Sequence, residues 1–259
     1  MSTFADILVE RAGPVAVLRF NRPKLSNAVR AQTMDEMRAA LAECIEDEGV
    51  RAIVFSAVGE HFVAGAEVSV LQELQQMSPR EVGERIYGSF QGLMRDVFAC
   101  PKPTLALVRG GAITVGCELA LACDFRIASN CAFFQESWIR VGLIPPLGGA
   151  MLLPRFVGLG AAKDMILTGR KMLAVEALQV GLVRELAAFA DLDARGHAFA
   201  NELAAISPAA FAAAKSAVHR GLESTMDEQW ERNIFVQANL IAGDDFKASV
   251  AGLARALER

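Results

Sequence analysis

The feature that most constrains this chain is an alternation in its first half, where short β-branched runs closed by turn residues give way repeatedly to stretches with helical spacing. The run VAVLRF (Val15 to Phe20) stops at the breaker NRP, and a helix is expected from Thr33 to Glu46, where Met34, Met37, Leu41 and Ile45 recur at spacings of three and four. AIVFSA (Ala52 to Ala57) reads as a short buried strand, followed by helical segments from Val68 to Phe98 broken near Pro79. TLALV, DFRIAS and CAFFQ read as further strands, and from Gly149 onward the pattern is nearly all helical. This is an α/β chain with a helical tail. No linker-like tract divides its 259 residues, so one large domain with appended helices is expected.

Several functional classes are disfavoured by composition. Lys and Arg number 26 against 30 Asp and Glu, and no basic cluster suggests a nucleic-acid or membrane surface. The N-terminus lacks the pattern of a signal peptide and no stretch matches a membrane span, so a cytoplasmic protein is expected. Five cysteines without a CxxC pair read as core thiols. The three histidines have no ligand spacing, so no metal is expected, and neither a GxSxG elbow nor a phosphate loop is present.

Two Gly/Ala loops, VGEHFVAGAE and RGGAITV, each fall between a strand and a helix. In such loops small residues let backbone N–H groups approach a ligand, and the helix N-terminus adds partial positive charge, so the pair could clamp one carbonyl oxygen. Just after the second loop, GGAITVGCELALACD carries one carboxylate, Glu118, among small and apolar residues. A buried carboxylate must take up a proton or find donors.

The segments NRPKLSNA, FVAGAE, PKPTLALVRGGAITVGCELALACDFRIA, GLIPPLGGAMLLPRFVG and LTGRKMLAVEALQVGLV resemble, in order and spacing, the signatures of the crotonase superfamily, the enoyl-CoA hydratase and isomerase group. The resemblance runs over nearly the whole chain. It implies a crotonase-like spiral of ββα repeats over residues 1–195, with a C-terminal helical trimerisation region over 196–259. It further implies an acyl-CoA thioester as substrate, no cofactor beyond the coenzyme A of that substrate, and a homotrimer or dimer of trimers.

Carried over residue by residue, the resemblance makes Glu118 the catalytic acid/base and the backbone N–H groups of Ala66 and Val115 the oxyanion donors. Val115 stands in a turn, Thr114-Val115-Gly116, where the family usually has three glycines, and a β-branched residue there would resist a positive φ. Lys24 and the backbone at Ala64 match positions that hold coenzyme A, and Gly65 and Gly116 belong to the same substrate-binding loops. The family's second glutamate is replaced by Trp138, which reads either as core filler or as a flat surface for a cyclic acyl group. The aspartate that some members use further on is here Pro146. Glu136, two residues before Trp138, would share its side if the segment is a strand, and reads as a solvated or salt-bridged residue. The resulting expectation is an enoyl-CoA hydratase. Double-bond isomerisation and decarboxylation are the alternatives within the family, and an acyl-CoA-binding or assembly subunit without catalysis is the alternative outside enzymology.

Overall fold

A computed structural model describes residues 4–221 and 223–257, with the backbone alone at Tyr87 and Leu257. Among the described residues, nine strands form two sheets. The larger contains β1 (Ile7–Ala12), β2 (Val15–Phe20), β3 (Ala52–Ala57), β4 (Thr104–Val108), β6 (Phe125–Ser129) and β9 (Glu185–Ala187), in the order β1-β2-β3-β4-β6-β9. The smaller contains β5 (Gly111–Ile113), β7 (Phe133–Gln135) and β8 (Lys171–Leu173). Pairing is parallel throughout the large sheet except for the β1-β2 hairpin. Every residue of β3 and β4 is buried, as expected of parallel strands covered on both faces.

The two sheets climb together. After β3, Val63 forms a parallel bridge to Ala112, and a helix follows; after β4 the chain makes β5 and then a helix; after β6 it makes β7 and a helical turn. Each turn thus lays one strand on the large sheet, one short segment on the small sheet and one helix outside, parallel to the turn before. This is the expected spiral of ββα repeats.

The helices are α1 (Ala31–Glu46), α2 (Val68–Gln75), α3 (Pro79–Arg85), α4 (Gln91–Ala99), α5 (Val115–Ala122), α6 (Gly149–Thr168), α7 (Ala174–Gln179), α8 (Leu192–Ala204), α9 (Pro208–Gly221), α10 (Met226–Ala242) and α11 (Asp244–Leu257). Helix α1 buries Met34, Met37 and Leu41 as its spacing demands, but it starts at Ala31 rather than Thr33. Thr33 lies inside the first turn, where its hydroxyl accepts from the Arg30 N–H and donates to Asp6. Four strands escape the sequence pattern. β1 alternates too weakly to stand out, β5 lies inside RGGAITV, expected to be a loop, and β8 and β9, three residues each, interrupt the region expected to be helical.

The chain divides into a unit up to Leu203 and a helical unit from Ala204. A boundary after residue 195 would cut α8, which belongs almost entirely to the first unit. Cys44, Cys100, Cys117 and Cys123 are buried thiols, whereas Cys131 is exposed, contrary to the expectation for all five. No helix among the described residues is long and apolar enough to cross a membrane.

Candidate active site

Helix α5 places the central carboxylate. All eight of its residues are buried, so it is a core helix apolar around its whole circumference except at Glu118. Its C-terminal end is held by the buried guanidinium of Arg126, which donates to the carbonyls of Ala120 and Cys123 and to Leu182. The favourable interaction of a cation with helix-terminal carbonyls fixes α5 against the large sheet.

Glu118 is 1 % exposed and accepts three hydrogen bonds. The Trp138 indole N–H reaches Oε1 at 3.0 Å, while the backbone N–H groups of Leu147 and Gly149 reach Oε2 at 2.8 and 2.7 Å. Gly149 opens α6, so the carboxylate sits at a helix N-terminus. Burial pushes the Glu118 carboxyl up to about 7, against the pull of Gly149, Leu147 and Trp138, all of which favour the ionised form. The loop that supplies these amides is tied to α4 by Gln91, whose side chain donates to the Pro146 carbonyl.

The two Gly/Ala loops are pressed together. A Cβ at Gly116 would meet the Val63 carbonyl oxygen at 2.4 Å, and one at Gly65 would meet the Thr114 hydroxyl at 2.6 Å, so neither position admits a side chain without moving the other loop. The Gly111 N–H further donates to His61 Nδ1, joining the loops at their base. In the turn Thr114-Val115-Gly116 the positive φ falls on Thr114 (47°), not on Val115, which is the first residue of α5. The β-branched side chain is therefore not strained there.

This packing brings Ala66 and Val115 to one cavity. Val115 opens a helix, where an N–H has no intrahelical acceptor. Val29 donates to Gly65 O and accepts from Glu67 N–H, so Ala66, the bridge residue between them, turns its own N–H to the opposite side. Ala66 and Val115 line a cavity of about 160 Å³ together with Trp138, Leu147, Leu71 and Phe90. Lys24 is exposed in the middle of a short 3-10 turn, Pro23–Leu25, outside that lining. Its loop is joined to the first site loop by the Ala64 N–H, which donates to Ser26 O, and by the buried Asn27, whose amide donates to Val58 O and His61 O.

Two expectations need correction. Trp138 lies on a 3-10 turn, Ser137–Val141, not on a strand, and its polar edge serves Glu118 while its ring lines the cavity. Glu136 is neither solvated nor salt-bridged. It is 0 % exposed, and neither carboxyl oxygen has a hydrogen-bond partner of normal geometry. Period-2 reasoning assumed that β7 continued past Gln135, but the chain turns there and buries Glu136 beside α5. No Gly or Pro stands between Phe133 and Val141 to signal that turn.

The enoyl-CoA hydratase/isomerase family profile matches residues 10–259. The chain is 36 % identical over 223 residues to a short-chain-enoyl-CoA hydratase of Clostridium acetobutylicum, covering 86 % of this chain and 84 % of that protein. It is 34 % identical over 225 residues to a crotonyl-CoA hydratase of Syntrophomonas wolfei, with coverage of 86 % and 85 %. The crystal structure of an enoyl-CoA hydratase from Bacillus anthracis superimposes with a TM-score of 0.90 at 28 % identity, over 97 % of this chain and 96 % of that one. Fold, ordered motifs and matched length agree: the chain belongs to the enoyl-CoA hydratase/isomerase family.

Proposed function

We propose that this protein adds water across the double bond of a 2-enoyl-CoA, with Glu118 as the acid/base. The observation that carries the reading is the buried Glu118 carboxylate, held by three donors and pushed up to about 7, two of those donors, Trp138 and Leu147, lining an apolar cavity together with Ala66 and Val115. A base poised near neutrality suits proton transfer to and from water at ordinary pH.

In this reading the thioester carbonyl sits between the two amide N–H groups. Glu118 takes a proton from water as the oxygen bonds to the β-carbon, and the π electrons move onto the thioester oxygen, where the two donors stabilise the enolate. The enolate then collapses and its α-carbon takes the proton that Glu118 carries. One H and one OH are added, Glu118 ends as it began, and no further cofactor is used. One carboxylate suffices. The names of the two hydratases of Clostridium and Syntrophomonas support the same chemistry.

The cavity of about 160 Å³ suits a short acyl group, since an apolar cavity of about 150 Å³ holds a benzene-sized guest. The exposed Lys24 and the backbone at Ala64 are the handles proposed for coenzyme A. In the helical unit, exposed Trp230, Ile234 and Phe235 on α10 favour a homotrimer or a dimer of trimers, and five free thiols fit a reducing compartment such as the cytoplasm.

Trp138 at the place of a second pocket carboxylate favours one rival, double-bond isomerisation, in which a single base moves one proton between carbons. Incubation with 2-hexenoyl-CoA separates them. Hydration removes the conjugated enoyl absorbance and yields a product heavier by one water; an isomerase gives a 3-enoyl product of unchanged mass. Neither product at any enzyme concentration would overturn both.

A further inference from the structure

Glu136 is a buried carboxyl that the proposed chemistry leaves unused. It is fully buried, and neither of its oxygens has a hydrogen-bond partner of normal geometry, although the Cys117 thiol and the Trp138 indole are close enough to bear on it. Neither Glu136 nor Glu118 lines the cavity itself, but two of the Glu118 donors, Trp138 and Leu147, do, whereas no residue of the lining donates to Glu136 with normal geometry. It does stand next to Glu118. A Cβ placed on Gly149 would lie 3.1 Å from Glu118 Oε2 and 3.1 Å from Glu136 Oε1, so the two carboxyls crowd the same point beside Gly149. Around Glu136 the titratable groups are Glu118 and the Cys117 thiol, both on α5, while α6 contributes only the Gly149 backbone and the 3-10 turn the Trp138 indole.

Two carboxylates this close, in surroundings this dry, do not both ionise, because each charge would be desolvated and each would repel the other. The donors decide which one keeps the proton. Glu118 has three N–H groups aimed at it and Glu136 has none of normal geometry. We propose that Glu136 is a positioning residue that holds a proton behind Glu118, so that the pair carries a single negative charge and that charge resides on Glu118, the carboxylate whose donors line the cavity. Burial, and after it the charge on Glu118, holds the Glu136 carboxyl well above the ordinary carboxylate range, in keeping with this division. The arrangement keeps a second negative charge away from the enolate that would form at the Ala66 and Val115 amides. Its functional meaning rests on the reading of Glu118 as acid/base.

Infrared spectroscopy of the purified protein without substrate tests the proton directly, so a failure here is distinct from a failure of the proposed reaction. At about pH 8, where ordinary carboxylates are ionised, the wild type should show the C=O stretch of a buried protonated carboxyl, and Glu136→Gln should lack it. Glu136→Met, an apolar side chain of similar length, serves if the amide variant does not fold. In Glu118→Gln the band should persist at low pH but titrate away at a pH lower than in wild type by about one unit or more, because the neighbouring charge is gone. A wild type with no such band at about pH 8, a band that survives loss of Glu136, or a titration unmoved by Glu118→Gln would each overturn the proposal.

Discussion

The Trp138 indole N–H donates to Glu118 Oε1 at 3.0 Å, across twenty residues of sequence. The side chain standing where the family's second glutamate is expected is therefore joined to the first. A hydrogen bond to a charged acceptor in a dry site is worth about 1.5–3 kcal/mol, and it acts on the ionised form of Glu118.

Trp138→Phe removes that donor and keeps most of the ring. With one fewer partner for its charged form, Glu118 should hold its proton to higher pH, moving the acid limb of kcat/KM upward by about one unit. An unmoved limb in a folded, active variant would show that the indole N–H does not act on the base.

Turnover in wild type should itself rise with pH through an acid limb near the Glu118 value of about 7, because the proposed base works only when ionised. Glu118→Gln should bind acyl-CoA yet lose about 10²-fold or more in turnover, the usual scale for loss of a general acid/base. Stopped-flow rates paired with ligand titration distinguish lost chemistry from lost binding.

The same carboxyl leaves a mark on stability. Its folded pKa lies above its ordinary value of 4.5, so the folded state binds more protons than the unfolded one between 4.5 and about 7. The contribution from Glu118 is fully present below that window and is lost as pH rises through about 7. Thermal melts of Glu118→Gln should therefore show a weaker fall in Tm between about pH 5 and about pH 8 than wild type.

For the oxyanion donors, the double variant Thr114→Gly/Val115→Pro is compared with Thr114→Gly alone. Glycine relieves the positive φ at 114 and frees the residue before proline, and proline is tolerated at a first helical position while lacking the N–H. Turnover should drop about 10²-fold or more between the two, the scale for deletion of one oxyanion donor. Equal rates would move the second donor elsewhere in the loop.

Gly116→Ala tests the fit between the loops. Its new Cβ would meet the Val63 carbonyl oxygen at 2.4 Å, which forces the backbone apart. We expect about 1–3 kcal/mol of destabilisation, the range for overpacking, together with reduced turnover. Denaturant midpoints and initial rates measured on the same sample would show whether both fall.

How far the chain could be read before folding depends on how local each feature is. β2, β3 and β4 were legible because a run of buried β-branched residues between breakers is written in the strand itself, and α1 because Met34, Met37 and Leu41 recur at its own period. The ordered motifs were equally local, and with them the identity of Glu118 and of the loop residues Ala66 and Val115. Partners were not. The donors that hold Glu118 come from residues 20, 29 and 31 positions later, and nothing in GGAITVGCELALACD specifies them. Glu136 shows the same limit from the other side. Whether its carboxyl met water or the core depended on β7 ending at Gln135 and the chain turning beneath α5. Sequence thus determined which groups this protein has and in which elements they stand. Burial and hydrogen bonding arise only when distant segments pack, so the tertiary structure alone decided that Trp138 serves Glu118 and that Glu136 lies buried beside it.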